Sequence, residues 1–204
     1  MIYKDLEILN NIVDFYKKLP GIGEKSAERM ALSSIEQDEK EILKYAKSLK
    51  DSKTELKKCE ICGHLTSKKI CSICSDENRN KSLICVLEDY KSVFAFEKAG
   101  NYKGTYHVLG GLISPIDNIK PEDINLASLI KRCRENEGVE IIIALKSNME
   151  GETTTLYIKK ILENDKVNIS RLSYGIPMGA EIDYMDPTTL DRALEDRKYM
   201  QQKE

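Results

Sequence analysis

Apolar side chains in the first part of the chain recur at helical spacing. Residues 5–19 carry such a stripe, which stops at Pro20-Gly21-Ile22-Gly23. A second helix is predicted from Glu24, and a third from about Asp38 to Leu49. We expect a chain break at Asp51-Ser52-Lys53. The third helix is expected to bury one apolar face, made of Ile42, Tyr45, Ala46 and Leu49.

After Lys81 the pattern changes to short apolar runs that alternate with helical stretches. Four such runs predict strands, at residues 83–87, 106–109, 139–145 and 167–172. The segments between them predict helices, at residues 92–99, 121–137 and 153–163. Apolar strands joined by helical crossovers indicate a parallel sheet that is covered on both faces. Ligand or partner residues are then expected at the carboxyl ends of the strands.

Between these two regions lie four cysteines in two closely spaced pairs. Cys59 and Cys62 are separated by two residues, as are Cys71 and Cys74, and eight residues connect the pairs. This spacing predicts a zinc site with four thiolate ligands. With four protein ligands no position stays open for a catalytic water, so we expect one structural zinc ion per chain. The alternatives are two disulfides, four unrelated buried thiols, or a site in which His64 replaces one thiolate.

Composition narrows the class of protein further. The chain has 204 residues, of which 41% are hydrophobic and 32% charged, proportions that suit a globular protein. It has no apolar run of membrane-spanning length and does not open on a signal peptide, so we expect a cytoplasmic protein without membrane contact. Cys85 and Cys133 are expected to be buried free thiols in that compartment, and a disulfide between them is the alternative.

The charges are unevenly distributed along the chain. Residues 1–81 carry 16 basic and 14 acidic side chains, a net charge of +2, whereas residues 82–204 carry 16 and 20, a net charge of −4. Eight lysines lie between Lys44 and Lys69. Such a basic segment can face nucleic-acid phosphates. The alternative is a solvated helix face followed by a solvated loop.

The turn at Pro20-Gly21-Ile22-Gly23 resembles the helix-hairpin-helix of DNA repair proteins. Two glycines let the backbone approach a ligand closely, and the first amides of the next helix point outward with the positive end of its dipole. Contacts of this kind hold DNA by its phosphates without reading its sequence. A plain packing turn and a nucleotide-binding P-loop are the alternatives. The predicted DNA-binding residues are Gly21, Gly23, Lys25, Ser26 and Arg29.

Two further resemblances concern the second half of the chain. Glu88 after the first strand and Glu150-Gly151-Glu152 after the third resemble the Toprim domain of topoisomerases and primases. The segment 107–115, which reads HVLGGLISP, resembles the RecR family of bacterial recombination mediators. Residues 174–179, which read YGIPMG, and 189–194, which read TLDRAL, are similar to the tail of the same family. The resemblance spans nearly the whole chain, although residues 31–34 lack a histidine expected in the family's second helix.

The resemblance implies an α+β protein of several parts. It implies a helix-hairpin-helix DNA-binding domain at residues 1–52 and a four-cysteine (C4) zinc finger at 53–79. A Toprim domain with a mostly parallel sheet is expected at 80–175, and a C-terminal tail and helix at 176–204.

The implied function is a non-catalytic, DNA-binding recombination mediator in DNA repair. Family members act with RecO and RecF to help load recombinase on single-stranded DNA. The alternatives are a magnesium-dependent Toprim nuclease or topoisomerase-like enzyme and a zinc-ribbon transcription accessory protein. An active Toprim site needs two aspartates to hold Mg²⁺, and Lys146 and Asn148 stand at those positions. A weak metal site remains open, built from Glu88, Asp89, Glu150 and Glu152.

The partners expected from the resemblance are DNA, single- or double-stranded, and the RecO and RecF proteins. We predict that Glu88, Glu150 and Glu152 bind a basic partner protein. The family assembles rings, so a homodimer or homotetramer that encircles DNA is also expected, associated with the nucleoid. Apolar residues on more than one side of the first helix favour self-association, as does an apolar stripe on a helix predicted from Pro187. Docking of that last helix on its own chain is the alternative.

Overall fold

The computed structural model describes residues 5–136, 138–173 and 175–198. Residues 1–4, Glu137, Tyr174 and 199–204 lie outside the described residues, so the first residue of the 174–179 motif and the ends of the predicted first and last domains are not characterised. The chain divides after Leu56 into two compact units. Within the described ranges, no helix is both long and apolar enough to cross a bilayer.

The N-terminal unit consists of three helices, as predicted. They are α1 (Glu7–Lys17), α2 (Glu24–Ile35) and α3 (Glu39–Glu55). Leu9 and Val13 of α1 pack against Ala27 and Ala31 of α2. The two alanines are fully buried, which lets the helices approach closely and fixes the angle of the turn between them.

The third helix differs from its prediction in two ways. Asp38 caps α3 by accepting a hydrogen bond from the Lys40 amide at 2.9 Å, and the helix then continues through residues 51–53 to Glu55. The predicted break is therefore wrong. The predicted burial is wrong as well, because α3 has no buried residue and its apolar side chains Ile42, Tyr45 and Leu49 are 37–50% exposed. The small α1–α2 core has no surface that covers this stripe within the described part of the unit.

The second unit begins with a small zinc-finger segment. Strands β1 (Lys57–Lys58) and β2 (Leu65–Thr66) pair antiparallel, and a single helical turn, α4 (Ser72–Ser75), follows. These short elements present the two cysteine pairs from two sides.

The rest of this unit is the predicted parallel sheet with helical crossovers. Its spatial order is β4-β3-β5-β6 and all neighbours are parallel. The strands are β3 (Asn80–Leu87), β4 (Gly104–Val108), β5 (Glu140–Ala144) and β6 (Asn168–Arg171). The helices are α5 (Tyr90–Ala99), α6 (Leu126–Glu135), α7 (Met149–Ile161) and α8 (Pro187–Glu195), with short 3-10 turns at Pro121–Asp123 and Ile182–Tyr184. The helix predicted over 121–137 is therefore split in two.

Alternation along β3 shows how the sheet is covered on both faces. Ile84 and Val86 belong to a core with residues of α6 and α7, whereas Cys85 and Leu87 belong to a second core with Val93 of α5. The four cysteines of the zinc segment are part of that second core. The zinc segment therefore helps α5 to cover one face of the sheet.

Candidate zinc centre and nucleic-acid interface

The four cysteines form a compact, buried cluster. Their sulfurs all lie within 4.8 Å of one another, and the Sγ atoms of Cys62 and Cys71 are 3.6 Å apart. Zinc–sulfur bonds of about 2.3 Å in a tetrahedron require sulfurs about 3.8 Å apart, so the cluster has the size that zinc needs. All four ligand positions are filled by thiols, so a bound zinc ion supplies structure and no open coordination site.

Local hydrogen bonds shape the first half of the site into a knuckle. The Cys59 amide donates to the His64 carbonyl at 2.7 Å, and the Gly63 amide donates to the Cys59 carbonyl at 2.9 Å. Gly63 has a φ of +73°, a left-handed conformation that glycine adopts without strain. The Cys71 amide also donates to the Cys59 sulfur at 3.3 Å. Hydrogen bonds from the Cys62 and Cys74 side chains lower the pKa of Cys71, so the cluster favours a thiolate.

The remaining histidine and cysteines of this region are not ligands. His64 is buried against Phe94, with ring centroids 5.1 Å apart, and does not belong to the ligand cluster. Cys85 and Cys133 are free and lie in different cores, on opposite faces of the sheet. Burial raises the pKa of the Cys85 thiol to about 12, which makes it unreactive.

The glycine turn between α1 and α2 presents open backbone. Gly21 has a φ of +79°, which the turn requires, and a side chain at Gly21 or Gly23 would meet no atom within 4 Å. Gly23 is the N-cap of α2 and provides no side-chain cap. Free space therefore adjoins the positive end of the α2 dipole, a geometry that suits a phosphate group.

Two cations extend this surface. Lys25 and Arg29 are exposed one turn apart on α2, and neither has an ion-pair partner within 4.0 Å in the described part of the chain. Ser26 is half-buried on the first turn. The nearby Lys17 pairs with Glu24 at 3.6 Å, which leaves the two other cations available for an external anion.

The three predicted partner-binding glutamates lie at the carboxyl edge of the sheet. Glu88 follows β3, and Glu150 and Glu152 lie in the first turn of α7, which follows the neighbouring strand β5. Lys146 contacts Glu88 at 3.0 Å, and the guanidinium groups of Arg171 and Arg192 lie 3.7 and 3.8 Å from Glu152. The edge is therefore acidic but partly neutralised by its own chain.

Other side chains of the same edge already have partners within the chain. Asn148 caps α7 by accepting from the Gly151 amide at 3.0 Å, and Asp89 caps α5 by accepting from the Lys91 amide at 2.7 Å. Lys146 places an ammonium group beside Glu88. Across the residues that the structure describes, the four cysteines are the only group of three or more metal-binding side chains with ligand atoms within 4.8 Å.

Sequence reasoning placed Lys146 at this edge but missed the ion pairs that Lys146, Arg171 and Arg192 form there. Lys146 and Glu88 are 58 positions apart, and Arg192 reaches Glu152 from the C-terminal helix. The only sequence signal for these ion pairs was the opposite charge of residues at the ends of different elements. That signal predicts a contact only once the order of the strands in the sheet is known.

The chain thus contains, in order, a helical hairpin, a four-cysteine segment and a parallel sheet with helical crossovers. Family models match each part. The RecR helix-hairpin-helix model matches residues 9–53, and the RecR four-cysteine zinc finger domain model matches residues 56–76. The Toprim domain model matches residues 82–173, and the RecR C-terminal model matches residues 175–198.

Curated relatives agree with these matches. The proteins named "Recombination protein RecR" from Staphylococcus aureus strains JH9, Newman and JH1 are each 44% identical over 194 residues. The match covers 95% of this chain and 98% of each relative. The chain belongs to the RecR family of recombination proteins, and its four cysteines form the family's zinc finger.

Proposed function

We propose that this protein is a non-catalytic recombination mediator that holds DNA through its glycine hairpin. The observation that carries the proposal is the open backbone at Gly21 and Gly23 beside Lys25 and Arg29, two cations without an ion-pair partner among the described residues. Backbone amides and two cations bind DNA phosphates whatever the base sequence, so the protein should bind both single- and double-stranded DNA. Ser26 adds a hydroxyl to the same surface.

Salt dependence tests this proposal. Lys25→Ala/Arg29→Ala removes two phosphate contacts, so DNA affinity should fall for all sequences and its dependence on salt should flatten by nearly two counterions. Lys91→Ala/Lys98→Ala, which removes two exposed charges from α5, is the matched control and should change the slope little. Fluorescence anisotropy across a salt series measures both. An unchanged slope in the hairpin variant would place the DNA site elsewhere.

Partner proteins are proposed to bind the acidic edge of the Toprim domain. RecO and RecF are the expected partners, and together with them the protein would help load recombinase on single-stranded DNA in the bacterial cytoplasm, at the nucleoid. Glu150 is the most useful probe because the ion pairs described above involve Glu88 and Glu152. Glu150→Lys should weaken binding of purified RecO, whereas Glu135→Lys on α6 should not, and DNA binding by the free protein should persist in both.

Self-association is proposed to use the uncovered groove of the N-terminal unit. The groove encloses about 900 Å³ and is lined mainly by apolar side chains of α1 and α3, together with Ile35. An exposed apolar surface of this kind marks an interface, and a second copy of the chain would cover it. Dimers that pair again would form the ring expected of this family.

The C-terminal helix gives a second proposed contact between copies. α8 reaches its own domain through Arg192 and Glu152, but Leu194 on its apolar stripe is 62% exposed. Deleting residues 186–204 should therefore reduce the mass seen by light scattering, whereas a helix that serves only its own domain would leave the mass of the assembly unchanged.

The division of the chain into four domains, with limits after residues 52, 79 and 175, is likewise part of the proposed organisation.

A further inference from the structure

Strand β6 forms one edge of the four-stranded sheet, and among the described residues no strand pairs with its outer side. The Asn168 amide donates to the Val139 carbonyl at 2.9 Å, and the Leu172 amide donates to the Ile143 carbonyl at 3.1 Å. Even-numbered residues of β6 thus bond to β5. Because backbone directions alternate along a strand, the N–H and C=O of Ile169 point away from the sheet.

An open groove lies beside this stretch of the edge. It encloses about 420 Å³ between α7 and β6, and its apolar lining comes from Leu156, Leu162, Val167 and Ile169. Leu156 is 62% exposed and so presents apolar surface to this groove. The groove is large enough for one or two apolar side chains.

The rim of the groove is basic. Lys159 and Lys160 line it and are exposed, and within the described residues neither has an ion-pair partner within 4.0 Å. Asp165 is held by Arg134 at 3.1 Å and so does not neutralise them. Glu163 is the one acidic side chain of the lining.

We propose that β6 and this groove bind an extended acidic peptide segment of another protein by strand addition. The peptide backbone would exchange hydrogen bonds with Ile169, one of its apolar side chains would lie against Leu156, and its carboxylates would face Lys159 and Lys160. Main-chain bonds supply affinity in such complexes, and alternate side chains supply specificity. This surface has the opposite charge preference from the acidic edge and therefore needs a different partner.

A second copy of the chain fits this edge poorly. Its own β6 would bring an identical pair of lysines to the contact, and like charges beside a sheet edge oppose pairing. An acidic segment meets the lysines with opposite charge. Charge complementarity therefore favours a foreign peptide as the occupant.

Peptide binding to the full chain tests the proposal. The probe is a short fluorescein-labelled peptide in which aspartate alternates with valine. We expect saturable binding, slower hydrogen exchange of the Ile169 amide in the complex, and a loss of about tenfold or more in affinity for Lys159→Glu/Lys160→Glu. Lys91→Glu/Lys98→Glu, on the opposite face of the sheet, should bind as the unchanged protein does.

Matched peptides separate strand addition from simple charge attraction. A peptide with N-methylated central amides keeps every charge but cannot donate to the edge, and it should bind about tenfold more weakly. The proposal would be overturned if the two peptides bound equally well. It would also be overturned if Lys159→Glu/Lys160→Glu bound the unmethylated peptide as tightly as the unchanged protein does. So would a Lys159→Glu/Lys160→Glu variant that loses DNA affinity but keeps the peptide, since it would assign the lysines to nucleic acid. Self-association of that variant with unchanged peptide binding would show that the lysines only keep edges apart.

Discussion

The zinc segment buries its four cysteines, whereas the N-terminal helices leave many of their apolar side chains exposed. The four cysteines of the zinc segment are only 1–7% exposed and pack into a core with Leu87 and Tyr106 of the sheet. Among its described residues 5–56, the helical unit buries four and leaves the stripe on α3 open. The zinc segment completes its own domain, whereas three helices alone are too small to cover their apolar faces. The buried cysteines belong to the core of their own unit, whereas the open stripe on α3 is the surface that we propose for self-association.

Removing zinc should have the largest effect, because it should unfold the zinc segment while the N-terminal helices stay folded. Chelation or Cys62→Ser should unfold residues 57–76 and uncover the face of the sheet that holds Leu87 and Tyr106, because the ligand cluster is part of that core. The helices of the N-terminal unit should be unaffected. Elemental analysis together with hydrogen exchange measures both effects.

Cys85→Ala is the control for zinc loss. Cys85 is buried in the same core but is not a ligand, so its removal should cost about 1–2 kcal/mol of unfolding free energy and leave one zinc ion bound. Zinc-free protein with full protection in 57–76 would show that the metal does not hold this core.

Charging the groove of the N-terminal unit should have the next largest effect. Ile42→Glu/Leu49→Glu should shift dimers or tetramers to monomers, since both side chains line the groove. The fold of the single chain should tolerate the change because these side chains are already 37% and 41% exposed. Leu43→Glu is the control: Leu43 is 61% exposed on the same helix but lies outside the groove. A mass by sedimentation that does not change would contradict the proposed interface.

A pair of glycine variants should show how closely the zinc knuckle fits the sheet. Gly63→Ala places a Cβ 2.8 Å from the Val108 carbonyl oxygen and 2.9 Å from the side-chain Nδ2 of Asn125, whereas Gly100→Ala meets nothing within 4 Å. Their φ values are +73° and +76°, so the backbone strain is alike. We expect a loss of about 1–2 kcal/mol for Gly100→Ala and about 1–3 kcal/mol more for Gly63→Ala in urea unfolding. Equal losses would mean that the knuckle is not tightly packed.

Acid should weaken the sheet through His107. Burial, with a further contribution from Arg132, lowers the pKa of His107 from 6.5 to about 4. The folded state therefore binds this proton less well than the unfolded state. The contribution of His107 to the free energy of unfolding is therefore fully present above pH 6.5 and is lost as the pH is lowered towards 4. His107→Gln should flatten the dependence in this range in urea unfolding, and an equally steep dependence in the variant would assign it to other groups.

The features that sequence predicted are those set by neighbouring residues. The zinc ligands lie within 16 positions of one another, and the strands follow from short apolar runs. The stripe on α3 was recognised, but a helix shows the same spacing whether its own chain or another molecule covers it. The sequence pattern therefore could not distinguish a core face from an interface.

Other features depended on tertiary contacts that no local pattern contains. Asn125 interrupts the predicted 121–137 helix near its start, because its carbonyl accepts from the His107 ring at 2.8 Å and its backbone amide donates to the Leu109 carbonyl at 2.8 Å. These bonds hold Asn125 at φ −75° and ψ 48°, outside the helical region. The ion pairs of the acidic edge likewise required the strand order.

The most direct test of the proposed function is incubation of the protein and Mg²⁺ with supercoiled and single-stranded DNA. Gel electrophoresis should show that both DNAs migrate more slowly because they bind the protein, and that neither is nicked or relaxed. Lys25→Ala/Arg29→Ala should lose retention, and Glu88→Gln should keep it. Magnesium-dependent cleavage that disappears with Glu88→Gln would contradict the account and establish an enzyme.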